Sequence, residues 1–163
     1  MRYNKIRKMD ISNGPGLRVS IFMQGCPFHC KNCFNPETWD FSGGNTYTEE
    51  IKKQVLDLCG NPNIKGLSIL GGEPLDDRNI EGVTELAKDF KSIYPDKTLW
   101  VWTGNTYEAK KDKEIMAYID VLVDGQYVDE LRDPRLKWKG SSNQRVIDIK
   151  KTKKSGKVVL NTD

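Results

Sequence analysis

The feature that most constrains the fold is an alternation of short apolar runs, each closed by glycine or a polar turn, with segments whose apolar residues recur at helical spacing. Residues 17–24 read as a first strand ending at Gly25, and residues 67–70 as a second, closed by Gly71-Gly72-Glu73-Pro74. Residues 99–103 and 121–124 read as a third and fourth, closed by Gly104 and Gly125. Between the first two, Thr48-Glu49-Glu50 supplies a capping hydroxyl and early acids ahead of Ile51, Val55, Leu56 and Leu58, and Gly60 stops the helix. Residues 79–93 place Ile80, Val83, Leu86, Ala87 and Phe90 on one face before Tyr94-Pro95, and residues 107–118 read as a further helix. Residues 145–149 are expected to add a fifth strand. Repeated strand, loop and helix imply right-handed crossovers, hence an α/β fold on a mostly parallel sheet of about five strands.

The chain has 163 residues, room for one domain and no second catalytic one. A complete eightfold (β/α) barrel takes about 250 residues, so any barrel-like sheet here is expected to be truncated. The expectation is a single domain over residues 1–163, with residues 150–163 as a basic C-terminal tail whose lysines, Lys150, Lys151, Lys153, Lys154 and Lys157, form a solvated face.

Parallel sheets collect ligands at the carboxyl ends of their strands. Every unusual segment of this sequence falls there: residues 26–33, 71–74, 103–104 and 124–125. In the first, Cys26-Pro27-Phe28-His29-Cys30-Lys31-Asn32-Cys33 spaces three thiols as C-x3-C-x2-C. Such crowding disfavours a disulfide framework and points to a metal or cluster in a reducing compartment. Three thiolates on one tight loop suit a cubane that keeps one iron open to substrate. A structural zinc would take a fourth ligand, for which His29 or Cys59 is available. Cys59 otherwise reads as a small core hydrophobe, and Trp100 and Trp102, alternating with Val101, as core residues on one strand face.

Charge and hydropathy narrow the classes further. With 26 basic and 23 acidic residues the net charge is +3, too small and scattered to argue for nucleic acid. A mean hydropathy of −0.64 with 37% hydrophobic residues leaves enough for a core. No run approaches a membrane span, and the basic start, residues 1–8, leads into polar and glycine-rich sequence rather than an apolar signal segment. The expectation is a soluble cytoplasmic protein with no membrane and no nucleic-acid partner.

The cysteine motif after the first strand, with Gly71-Gly72-Glu73 after the second, resembles the radical S-adenosylmethionine (radical SAM) superfamily. Asn13-Gly14-Pro15-Gly16-Leu17-Arg18 resembles the segment ahead of the cluster in glycyl-radical-enzyme activases. Trp100-Val101-Trp102-Thr103-Gly104, residues 120–125 and residues 138–144 are similar to the activating proteins of anaerobic ribonucleoside-triphosphate reductases. The likeness runs from residue 13 to residue 149. Asn32 stands where the superfamily often carries an aromatic residue, and His29 lies one position later than the histidine of the activating proteins.

The resemblance implies a truncated radical-SAM (β/α) barrel with a 4Fe-4S cluster on Cys26, Cys30 and Cys33. It implies S-adenosyl-L-methionine bound by Asn32, Phe34, Gly71, Gly72, Glu73, Thr103 and Asp124. Glu73 would receive the methionine ammonium and Asp124 the ribose hydroxyls. Beyond cluster and cofactor it implies no catalytic residue. The reaction would be reductive cleavage to a 5′-deoxyadenosyl radical that installs a glycyl radical on the large subunit of the anaerobic ribonucleoside-triphosphate reductase, with flavodoxin or ferredoxin as electron donor. Residues 13–18 and 138–144 would lie at the mouth of the site and receive the glycine loop of that partner. The alternatives are a compact radical enzyme acting on a small molecule and a zinc-binding adaptor for nucleic acid or protein.

Overall fold

Ile6, Ile21, Ile69, Val101, Leu122 and Ile147 are successive register partners on six neighbouring strands, forming one apolar row across the sheet. The computed structural model that shows this describes residues 1–161. Its strands are β1 (Arg2–Asp10), β2 (Arg18–Met23), β3 (Asn45–Thr46), β4 (Gly66–Gly71), β5 (Thr98–Trp102), β6 (Val121–Asp124) and β7 (Arg145–Asp148). Its α-helices are α1 (Glu49–Leu58), α2 (Ile80–Ile93), α3 (Tyr107–Lys110) and α4 (Ile149–Ser155).

The sheet is open, in the order β3-β1-β2-β4-β5-β6-β7. The four central strands β2, β4, β5 and β6 are parallel, β1 runs antiparallel to β2 and β3, and β7 antiparallel to β6. The described residues thus hold seven strands against an expected five. The extra β1, Arg-Tyr-Asn-Lys-Ile-Arg-Lys-Met-Asp, is polar along its length and half exposed, so no apolar run marked it. β7 enters antiparallel because residues 125–144 between it and β6 contain only a 3-10 turn, Asp129–Leu131, and no crossover helix. The helix expected over residues 107–118 also breaks: α3 stops at Lys110 and a 3-10 turn follows at Glu114–Ala117. Residues 110–114 are all charged, so nothing apolar holds a helix against the core there.

All four helices lean on one face of the sheet. Val55 of α1, Val83, Leu86, Ala87 and Phe90 of α2, Tyr107 of α3 and Ile149 of α4 join Val19, Ile21, Leu67, Ile69, Leu99 and Val101 in one buried cluster. Cys59 belongs to it too and is fully buried. The opposite face is left to loops. There Trp100, Val121 and Val123 make a smaller cluster with Trp102, Trp138 and Val146.

Arg18 lies on this second face, at the amino ends of the strands, and is fully buried. All five of its N–H groups are used: on the Ser68 hydroxyl (2.8 Å), the Thr98 hydroxyl (2.9 Å), and the carbonyls of Pro15 (3.2 Å), Leu67 (3.0 Å) and Thr98 (2.8 Å). It therefore stitches β2, β4 and β5 together, away from the mouth where its sequence neighbourhood suggested it would be. The lysine-rich segment begins as α4, capped by the Asp148 carboxylate on the Lys151 N–H and ended by left-handed Gly156. Ile149 and Thr152 turn inward and the lysines outward. Among the described residues no helix is long and apolar enough to cross a membrane.

Candidate functional site

The cysteine loop leaves the carboxyl end of β2 and is fastened at once. Gly25 donates its N–H to the Thr38 carbonyl (2.6 Å) and Cys26 to that of Trp39 (3.1 Å). Within the loop His29 and Asn32 have positive φ, +48° and +56°, a left-handed conformation that asparagine tolerates better than most side chains. These two reversals, with the turn from the Cys33 N–H to the Cys30 carbonyl (3.1 Å), bring all three thiols into the wall of one cavity of about 520 Å³. His29 stacks on Trp39, ring centres 4.6 Å apart. Backbone N–H groups approach each sulfur: Phe28 and His29 at Cys26, Tyr127 at Cys30, and Asn35 at Cys33 (3.4 Å).

Next to this loop runs Gly71-Gly72-Glu73, where β4 ends. Gly72 donates to the Met23 carbonyl (2.9 Å) and Glu73 to that of Gly25 (2.8 Å). Gly71 has φ +103°, and a Cβ there would sit 2.7 Å from the Met23 nitrogen. The resemblance assigns these glycines to S-adenosyl-L-methionine. The nearer reason for them is the backbone of β2, which the turn must approach this closely to meet the cysteine loop. Both glycines also line the cavity.

Glu73 is buried and answered by three short contacts. One oxygen accepts the Leu75 N–H (2.8 Å) and the Thr103 hydroxyl (2.7 Å), and the other the Gly104 N–H (2.6 Å). Burial pushes its pKa up, and those donors only partly offset it. Burial likewise pushes Cys26 up to about 11, with the charges of Glu73 and Cys30 adding to the effect, and raises Cys30 for the same reason with Cys33 beside it. A bound cationic centre supplies the charge that would offset this and favour thiolates. Among the described residues no three His, Cys, Asp or Glu groups converge as they would on a single metal ion.

Of the residues singled out by sequence, Cys26, Cys30, Cys33, Phe34, Gly71, Gly72, Glu73 and Thr103 line this cavity, over a floor of Phe22, Leu70 and Trp102. Asn32 and Asp124 do not. The Asn32 amide donates to Asp129 (2.9 Å). Asp124 is buried, accepting Arg145 on both oxygens (3.0 and 2.6 Å) and the Tyr107 N–H (2.7 Å). Trp102 reaches the cavity and donates its indole N–H to the Trp138 carbonyl (2.8 Å). Asn13, Trp138, Lys139, Gly140 and Gln144 line it as the mouth segments were expected to, whereas Asn143 turns to the Gln126 carbonyl (2.8 Å). Sequence reasoning missed Arg7, Ser12, Tyr127 and Arg132, none of which carries a local signal. Cys59 sits in the helix-side core, its thiol pushed up to about 12 by burial.

The arrangement sets three thiols, a buried carboxylate and a glycine turn around an apolar floor, with Arg7, Arg132 and Lys139 at its edges. It suits a thiolate-held inorganic centre beside a ligand with a cationic and an aromatic part. Comparison with known proteins agrees with the first half of that reading. The family model for a 4Fe-4S single cluster domain matches residues 12–147. The anaerobic ribonucleoside-triphosphate reductase-activating protein of Vibrio cholerae is 40% identical over 148 residues, 88% of this chain and 96% of that protein. Its namesake in Pasteurella multocida is 41% identical over 150 residues, 88% of this chain and 95% of that protein. That of Escherichia coli is 37% identical over 154 residues, 92% of this chain and the whole of that protein. With matches of this depth along nearly its full length, the chain belongs to the family of anaerobic ribonucleoside-triphosphate reductase-activating proteins.

Proposed function

We propose that this chain is a radical-SAM activase, a truncated (β/α) barrel that installs a glycyl radical on an anaerobic ribonucleoside-triphosphate reductase. The observation that carries this reading is the gathering of Cys26, Cys30, Cys33 and Glu73 on one cavity at the carboxyl ends of the parallel strands. The donor set fits a 4Fe-4S cluster: three thiols from one loop, each met by backbone N–H groups of the kind that stabilise cluster sulfurs. When bound, the cluster with S-adenosyl-L-methionine supplies one-electron cleavage of the C5′–S bond, giving methionine and the radical that takes hydrogen from the partner's glycine.

The protein's own part is to bind, orient and exclude water. Glu73 lines the cavity with one oxygen on Leu75 and Thr103 and the other on Gly104, and its carboxylate is suited to the methionine ammonium. Phe22, Leu70 and Trp102 give the adjoining floor an apolar surface. Thr103 acts through Glu73, and Asp124 through Arg145 and the start of α3. The open side of the cavity, edged by Asn13 and residues 138–140, is where the glycine loop of the reductase enters. A flavodoxin or ferredoxin delivers the electron in the cytoplasm. A zinc adaptor is less well supported, because Cys59 is locked in the core and His29 is stacked on Trp39.

Anaerobic reconstitution tests the reading. The protein should turn brown, contain iron and sulfide, cleave S-adenosyl-L-methionine under reduction, and yield a glycyl-radical resonance only when the reductase is added. Substituting Cys26, Cys30 or Cys33 by Ala should abolish the colour, and Cys59→Ala should leave it. A colourless zinc protein with full activating power would overturn the assignment, and turnover of a small molecule without the reductase would favour the other enzymatic reading.

A further inference from the structure

The cysteine loop is held from outside by a segment about a hundred residues further along the chain. Residues 126–130, just past β6, meet it at four successive points. The Gln126 side-chain oxygen lies 3.9 Å from the Cys30 sulfur, and the Tyr127 backbone N–H is near enough to the same sulfur to favour its thiolate. Lys31 faces Glu130 at 3.9 Å. The Asn32 amide donates to one Asp129 oxygen at 2.9 Å, while the Tyr127 hydroxyl donates to the other at 2.8 Å. The Phe34 ring packs against Tyr127 with centres 5.0 Å apart.

Asp129 is the centre of this strap. One of its oxygens fixes Asn32 and the other fixes Tyr127, so a single carboxylate couples the left-handed residue just before Cys33 to the residue whose N–H meets Cys30. A left-handed non-glycine residue is strained, and such a conformation persists where surrounding contacts over-determine it. The Asn32–Asp129 bond is such a contact. It also gives a physical reason for asparagine at this position: it tolerates the backbone and donates to the strap.

Resting on the assignment of the cluster to Cys26, Cys30 and Cys33, we propose that Asp129 is a positioning residue for that cluster, acting through Asn32 and Tyr127. Partners outside the ligand set that orient metal ligands typically change metal affinity about 10–100-fold when removed. The test uses reconstituted whole protein. Asp129→Ala should release iron to an excess chelator about tenfold faster than the parent, with altered visible circular dichroism of the cluster while the far-ultraviolet spectrum is unchanged. Asn32→Gly keeps the left-handed backbone without strain but removes the amide, one of the two links that Asp129→Ala cuts, so it should speed iron release in the same direction and by no more than Asp129→Ala. The double variant should be no worse than Asp129→Ala alone, since the link that Asn32→Gly removes is one of the two that Asp129→Ala already cuts. Asp129→Asn, which retains one acceptor, should fall between Asp129→Ala and the parent.

Release at the parent's rate from Asp129→Ala overturns the proposal. So does a parent-like Asn32→Gly, or a double variant whose effect is the sum of the two. A parent protein that takes up no iron would instead sink the functional reading, leaving the two failures distinguishable.

Discussion

The Thr103 hydroxyl donates to a carboxylate oxygen of Glu73 at 2.7 Å, tying the end of β5 to the turn after β4 inside the cavity wall. Glu73 is only 1% exposed, and burial raises its pKa against the pull of its donors, of which Thr103 is the largest. Thr103→Val keeps the shape and removes the donor. It should cost about 2 kcal/mol of stability in a denaturant titration, the range for a buried hydrogen bond to a charged acceptor, and weaken S-adenosyl-L-methionine binding in equilibrium dialysis. Thr103→Ser should restore both.

Gly71 and Gly156 share positive φ, +103° and +76°, but not surroundings. A Cβ at Gly71 would press on the backbone of Met23 at 2.7–2.8 Å, whereas nothing lies within 4 Å of one at Gly156. Gly156→Ala should therefore cost only the left-handed strain, about 1 kcal/mol. Gly71→Ala adds an overlap that only separation of β2 from β4 relieves, for a total of about 3 kcal/mol. Equal losses for the two variants in chemical denaturation would contradict this account.

How much was legible in the sequence follows from where each signal resides. The central strands were, because a strand buried on both faces must be apolar almost throughout, as at Leu67, Ile69 and Leu70. β1 was not, since its side chains stay half exposed and its place comes from pairing with β2. The cysteine spacing and Gly71-Gly72-Glu73 are local, so their meeting on one cavity could be anticipated from topology alone. Asp124 shows the limit. Its position at a strand end suggested a ligand contact, but Arg145, 21 residues on, takes both its oxygens, a pairing visible only once β7 lies against β6 in antiparallel register. The strap at Asp129 was beyond reach as well, since Asn32 and Asp129 lie 97 residues apart and meet only in the folded chain.

Asp10 makes acid stability predictable. Burial pushes its carboxyl upward, but hydrogen bonds from the Ser20 hydroxyl (2.7 Å), the Asn13 amide (2.7 Å) and the Ser12 N–H (2.8 Å), with Arg7 nearby, outweigh it and hold the pKa below the usual value. A carboxyl whose folded pKa is depressed contributes stability above its unfolded pKa, and that contribution disappears as pH falls through the folded one. Unfolding free energy should thus drop as pH falls from about 5 to 3. Asp10→Asn should be less stable at neutral pH by about 2 kcal/mol and show a flatter profile through that window. A parallel profile would mean that the acid sensitivity resides in other carboxylates.

Arg18 gives the sharpest division between a residue for folding and a residue for function. Its neighbourhood in sequence suggested a role in receiving the partner, separable from cluster and cofactor binding. Its five hydrogen bonds and complete burial place it instead among the backbone ends of β2, β4 and β5. Burial lowers its pKa to about 10, opposed by Asp120, Cys59 and Asp10, so it stays charged at neutral pH. Arg18→Ala would take this donor from the Thr98, Leu67 and Pro15 carbonyls and the Thr98 hydroxyl, leave the Ser68 hydroxyl only its bond to the Asn13 carbonyl, and open a void against Trp100, whose ring centre is 5.9 Å from the guanidinium carbon. The expected loss is about 3–5 kcal/mol, seen as a large fall in melting temperature and poor recovery of soluble protein. Arg18→Lys, with three donors for five, should fall between. If Arg18→Ala melts with the parent, carries its cluster and fails only to produce the glycyl-radical resonance, then Arg18 serves the partner and the structural role is wrong.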